Sequence, residues 1–139
     1  MAERLRVRDL MSRDLHTLGR NDEIAVADEL MKMERIRHLP VIDEDGALAG
    51  VVSQRDLFRT ALARVLGYGT SGQDRLMHML LVKDVMSTPV ETIGPDAPLS
   101  EAATRMIDQQ VGCLVVVEGE RILGLLTEGD FVRHVAARS

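Results

Sequence analysis

Apolar and polar positions run through one order of elements twice along this chain. In the first pass, Leu15-His16-Thr17-Leu18 reads as a short strand, and Val26, Leu30 and Met33 fall at i, i+4 and i+7, one apolar stripe of a helix ending near Arg35. Asn21 or Asp22 is placed to cap that helix. His38 to Ile42 reads as a strand, Asp43-Glu44-Asp45-Gly46 carries the Asp-Gly hairpin signal, and Leu48 to Ser53 is the return strand. A second helix begins near Gln54, with Asp56 in its first turn and Leu57, Phe58, Ala61, Leu62 and Val65 at helical spacing.

The second pass keeps the order. Glu91 to Ile93 is a short strand, Pro98 opens a helix reaching Gln110, Cys113 to Val117 and Ile122 to Thr127 form a hairpin across Glu118-Gly119-Glu120, and Glu128 to Ala137 closes with a helix. Between the passes, glycine content makes Gly67-Tyr68-Gly69-Thr70-Ser71-Gly72 a loop, and Asp74 to Leu81 reads as an extra short helix. The residues themselves recur. Val7-Arg8-Asp9-Leu10-Met11-Ser12 returns 75 positions on as Val82-Lys83-Asp84-Val85-Met86-Ser87, and Gly50 to Leu57 returns 74 positions on as Gly124 to Phe131. The expectation is an α/β fold of two tandem repeats, 7–63 and 82–137, joined by a connecting loop and short helix over 64–81 and packed as one pseudo-twofold module.

Composition narrows the function classes. With 139 residues, no Trp, one Tyr and two Phe, the core has to be aliphatic and Met-rich, and Met31, Met33 and Met106 read as core or helix-interface residues. A formal net charge of −5 argues against general nucleic-acid binding, which needs clustered Lys and Arg. Cys113 is the single cysteine, so an intrachain disulfide is excluded; its apolar strand has no neighbouring base, which speaks against a nucleophile. The charged Met-Ala-Glu-Arg-Leu-Arg start lacks an apolar leader core, and no stretch approaches the roughly 20 apolar residues of a membrane span. A cytoplasmic location, with no membrane partner, is expected. His16, His38, His78 and His134 lack metal-ligand spacing, and no nucleophile, base or metal cluster suggests an enzyme.

Gly-apolar-apolar-Ser/Thr-x-x-Asp at a strand end, after a short apolar strand ending in an acid, resembles the CBS domain. The pieces are Leu39-Pro40-Val41-Ile42-Asp43 with Gly50 to Asp56, and Leu114-Val115-Val116-Val117-Glu118 with Gly124 to Asp130; Val115 stands where the first copy has the family-like Pro40. The lead-ins Asp9 to Ser12 and Asp84 to Ser87 are also similar to that family. The resemblance implies a pair of CBS domains, commonly dimerised, whose clefts bind an adenosine-containing ligand: AMP, ADP, ATP, NAD or S-adenosylmethionine.

Carried over residue by residue, it implies one cleft of Ser53, Arg55, Asp56, Arg37 and His38 that borrows Ser87, Val90 and Glu91 from the second repeat. The other takes Thr127, Asp130, Gly112 and Cys113 and borrows Ser12, Leu15 and His16 from the first. A carboxylate such as Asp56 can accept both hydroxyls of a ribose, a hydroxyl beside free helix-start amides suits a phosphate, and Arg55 adds a cation. Glu128-Gly129 replaces Gln54-Arg55 in the second copy, so that cleft is expected to hold polyanions less well. Ser53-x-x-Asp56 and Thr127-x-x-Asp130 equally fit a capping box that satisfies the helix's own amides. Two functions stay open on these residues: a stand-alone regulatory module, homodimeric, that signals ligand state to an unidentified protein partner, or a ligand-independent dimerisation or scaffold module.

Overall fold

The computed structural model describes residues 5–68 and 80–138. In chain order these hold α1 (Val7–Leu10), β1 (Leu18–Gly19), α2 (Ile24–Glu34), β2 (His38–Ile42), β3 (Leu48–Ser53), α3 (Gln54–Tyr68), α4 (Val82–Val85), β4 (Thr92–Ile93), α5 (Leu99–Gln109), β5 (Cys113–Glu118), β6 (Arg121–Thr127) and α6 (Glu128–Ala137). Two three-stranded sheets result, β1-β2-β3 and β4-β5-β6. In each the first pair is parallel and the second antiparallel. Parallel neighbours need a crossover, which α2 and α5 supply, whereas the antiparallel pairs close through tight turns. Gly46 (φ 83°) and Gly119 (φ 61°) take left-handed backbone in those turns, where a Cβ would be strained.

The chain divides into two compact units, His16–Val90 and Met1–Leu15 with Glu91–Ser139. Each sheet is therefore completed by the other repeat's lead-in. In the unit carrying Asp56, Val82 is fully buried in a core with Leu18, Ile24, Ala27, Met31, Leu39, Val41, Val52 and Leu57. Val7 holds the same place in the unit carrying Asp130, beside Met11, Ile93, Ala102, Met106, Leu114, Val116 and Leu126. Matching backbone bonds anchor both lead-ins: Val82 N donates to Asp22 O (2.8 Å) and Lys83 N to Arg20 O (2.9 Å), as Val7 N does to Ala97 O (3.0 Å) and Arg8 N to Pro95 O (2.9 Å). The lead-in aspartates start their one-turn helices, Asp9 accepting from Arg6 N at 2.7 Å and Asp84 from Leu81 N at 3.0 Å. A buried β-branched residue and a carboxylate at the third helical position are what the Val-x-Asp spacing supplies.

Several local expectations change. The first strand is only Leu18–Gly19, which pairs with Val41 and Ile42; residues 15–17 make no ladder with the start of β2. Asp22 does not cap α2; its carboxylate accepts from Gly19 N at 2.7 Å and closes the preceding turn. Of the expected stripe on α2 only Leu30 packs on the core: Val26 (43% exposed) and Met33 (77%) lie outward, while Ile24, Ala27 and Met31 are buried. Small Ala27 lets the helix lie close to its sheet. Met31 and Met106 are core residues, as expected. In α3, Leu57 is buried but Phe58 and Leu62 are exposed. That helix runs through Gly67 and Tyr68, which were expected in a loop. The rest of the expected loop, most of the expected 74–81 helix, and Met77, His78 and Met79 lie outside the described residues. Pro98 is the N-cap of α5 rather than its first helical residue. No helix among the described residues is long and apolar enough to cross a membrane.

Candidate functional site

Each unit carries one strand-to-helix junction, and the two junctions gather most of the residues singled out in the sequence. Ser53 ends β3 and Thr127 ends β6; hairpin register sets His38 opposite Ser53 and Cys113 opposite Thr127. The first helical amide then reaches back across the hairpin, Gln54 N to Arg37 O (2.8 Å) and Glu128 N to Gly112 O (3.1 Å). The lead-in crosses from the other side. Ser87 exchanges two backbone bonds with Val51 (2.8 and 3.2 Å), and Ser12 does the same with Leu125 (2.8 and 3.0 Å). So Arg37, His38, Ser53, Asp56 and Ser87 form one group, and Gly112, Cys113, Thr127, Asp130 and Ser12 the other. Arg55 is exposed on the first turn of α3, and half-buried Val90 and Leu15 belong to the expected units. Glu91 O accepts from Val115 N at 3.0 Å within the unit of Asp130, and His16 lies 3.9 Å from Glu34 within the unit of Asp56.

The two carboxylates differ. Asp56 is half-buried; its Oδ2 accepts from Ser53 N (2.9 Å) and more distantly from Ser87 Oγ (3.4 Å), and Ser53 Oγ accepts from Asp56 N (3.0 Å). Among the described residues no basic side chain is ion-paired with it. Asp130 is 8% exposed, the one buried charged side chain among the described residues. Its Oδ2 accepts from Thr127 N (2.8 Å) and Thr127 Oγ1 (3.2 Å), and its Oδ1 from Arg133 Nη2 (2.7 Å). Position 129 carries no cation, but Arg133, one turn on, pairs with Asp130. This residue was missed, although the Asp130-x-x-Arg133 spacing on one helix was a readable signal.

The glycine that opens each motif has a packing cause. A Cβ on Gly124 would lie 2.2 Å from Ser12 O, and one on Gly50 would lie 2.6 Å from Met86 Sδ. Both glycines admit the crossing lead-in, so their recurrence does not by itself argue for a ligand. Cys113 is buried, and burial, reinforced by the Asp130 charge, pushes its thiol up to about 12. It stays protonated at neutral pH, which leaves it inert as a nucleophile or thiolate ligand.

Two α/β units, each with a Ser/Thr-x-x-Asp helix start under the other repeat's lead-in, define a tandem regulatory-domain architecture. The chain belongs to the CBS domain family, whose model matches residues 7–63 and 82–137. A CBS domain-containing protein of Dictyostelium discoideum is 33% identical over 129 residues, 91% of this chain and 88% of that protein. A provisionally named acetoin utilization protein (AcuB) of Vibrio cholerae has a similar structure, with 33% identity, TM-score 0.79 and coverage of 97% of this chain and 94% of that one. The CBS domain pair of protein MJ0100, solved with 5′-methylthioadenosine and S-adenosyl-L-methionine, is 25% identical with TM-score 0.75, covering 94% of this chain and 99% of that one. Other curated relatives are much longer. The chain spans 32% of an uncharacterised Methanocaldococcus jannaschii protein and 20% of a homoserine O-acetyltransferase of Methanosarcina acetivorans.

Proposed function

We propose that this CBS pair is a cytoplasmic regulatory module that binds an adenosine nucleotide or related adenosyl ligand at the Asp56 and Asp130 junctions and passes that state to a protein partner. The observation that carries the reading is Asp56. Its carboxylate is half-buried at a helix start, faces Ser53 and Ser87, and keeps Oδ1 clear of any cation in the described structure. Such an oxygen suits a ribose diol, and the adjoining helix start suits phosphate. The adenosyl ligands of the MJ0100 pair support the same class. Signalling follows if the ligand favours one arrangement of the module over another.

A thermal-shift panel of AMP, ADP, ATP, NAD and S-adenosylmethionine tests this directly. At least one is expected to raise Tm, since a ligand at a hundredfold excess over Kd adds about 2.7 kcal/mol. No shift with any of them would leave the scaffold reading, which the reciprocal Ser53–Asp56 bonds favour as a pure cap.

The module is also proposed to be a homodimer. Val26, Met33, Phe58 and Leu62 are exposed on helices of one unit, and Ile107, Val132 and Val135 on helices of the other. Apolar helix faces of this kind are commonly covered by a twofold partner. Light scattering at micromolar concentration is expected to give twice the 15.4 kDa chain mass; the monomer mass alone would refute it.

A further inference from the structure

The two junctions hold the same carboxylate in different states, and the difference lies in one arginine. Arg133 sits one turn beyond Asp130, with its side chain 71% exposed while the carboxylate it binds is 7% exposed. An exposed guanidinium is therefore paired with a buried carboxylate. Gly129 gives this arrangement room: a Cβ there would come within 3.1 Å of Arg133 Nη1 and 3.3 Å of Nη2, so the guanidinium would have to shift by a few tenths of an ångström. In the Asp56 unit the position equivalent to Gly129 is Arg55, and the position equivalent to Arg133 is exposed Arg59, which makes no ion pair with Asp56.

We infer that Arg133 sets the ligand class of the Asp130 site, admitting phosphate-bearing adenosyl ligands and holding the site closed to phosphate-free ones. The inference rests on the adenosyl reading above and deepens it. Asp130 Oδ2 already accepts two bonds and Oδ1 one from Arg133, so a ribose diol that donates both hydroxyls competes with the guanidinium for Oδ1. With a neutral ligand the carboxylate regains hydrogen bonds but the guanidinium loses its anion to water. With a nucleotide the guanidinium moves from carboxylate to phosphate, a partner that suits its planar fork, and both charges stay paired. Asp56 needs no such exchange, so that site accepts both classes.

Calorimetry with adenosine and AMP tests the inference in four proteins: wild type, Asp56→Ala, and Asp56→Ala combined with either Arg133→Gln or Gly129→Ala. Wild type is expected to bind one adenosine but two AMP per chain. Asp56→Ala should retain one AMP and lose adenosine. Adding Arg133→Gln should weaken AMP by about tenfold or more, the scale of a lost charge-assisted hydrogen bond, and let adenosine bind. Adding Gly129→Ala crowds the guanidinium without removing its charge or weakening the helix, so adenosine should bind while AMP is retained. Circular dichroism checks that each variant is folded. An AMP-to-adenosine preference that Arg133→Gln leaves unchanged, or Asp56→Ala protein that binds adenosine as tightly as AMP, overturns the role of Arg133 while the adenosyl reading stands. Wild type that binds neither compound overturns the role of Arg133, and the adenosyl reading falls with it only if ADP, ATP, NAD and S-adenosylmethionine also leave Tm unchanged.

Discussion

Gly124→Ala is expected to destabilise the protein by about 3–5 kcal/mol, among the largest single-methyl effects the chain can show. The added Cβ would meet the Ser12 carbonyl oxygen at 2.2 Å, well inside contact distance, and the obstacle is backbone. Relief requires moving Ser12 away from β6, which breaks its paired bonds with Leu125 at 2.8 and 3.0 Å and pulls on buried Met11. Gly50→Ala is the control. Its Cβ would meet Met86 Sδ at 2.6 Å, Cγ at 2.9 Å and Cβ at 3.2 Å, side-chain atoms rather than backbone, so a rotamer change with a small local shift relieves it at a cost of about 1–2 kcal/mol. Urea unfolding of both variants measures the contrast, and equal losses would show that the lead-in does not press on β6 as described.

Asp56→Ala is expected to lower affinity for the best ligand of the panel by about 2–4 kcal/mol, through loss of the ribose contacts. The same change removes a helix cap, costing about 1 kcal/mol of stability. Asp56→Asn separates the two roles. An amide oxygen still accepts from Ser53 N, so the cap persists, but the charge that strengthens diol binding is gone. Calorimetry and melting on the three proteins are read together. If Asp56→Ala binds as tightly as wild type while Tm falls, the carboxylate is only a cap, and the scaffold reading replaces the ligand reading.

Much of this protein is determined by short-range sequence. The 75-residue recurrence, the Asp45-Gly46 and Gly119-Glu120 turns, and the Ser/Thr-x-x-Asp starts at Ser53 and Thr127 depend on neighbours within a few positions, so they are legible without a partner surface. The residues gathered at each junction were legible only through the family resemblance. Nothing in two nearly identical Val-x-Asp-x-Met-Ser lead-ins states which sheet each joins.

Tertiary structure decides the rest. It sends Val82 into the first repeat's core and Val7 into the second's. It also selects the face of α2. Val26-Leu30-Met33 and Ile24-Ala27-Met31 satisfy helical spacing equally, and spacing sets a period without setting which face meets the sheet. The face carrying Ala27 wins because a helix packed closely on a sheet needs a small residue at the contact, leaving Met33 outward. At Asp130 only the packed helix start shows that Arg133 folds back onto the carboxylate, with its guanidinium close beside Gly129.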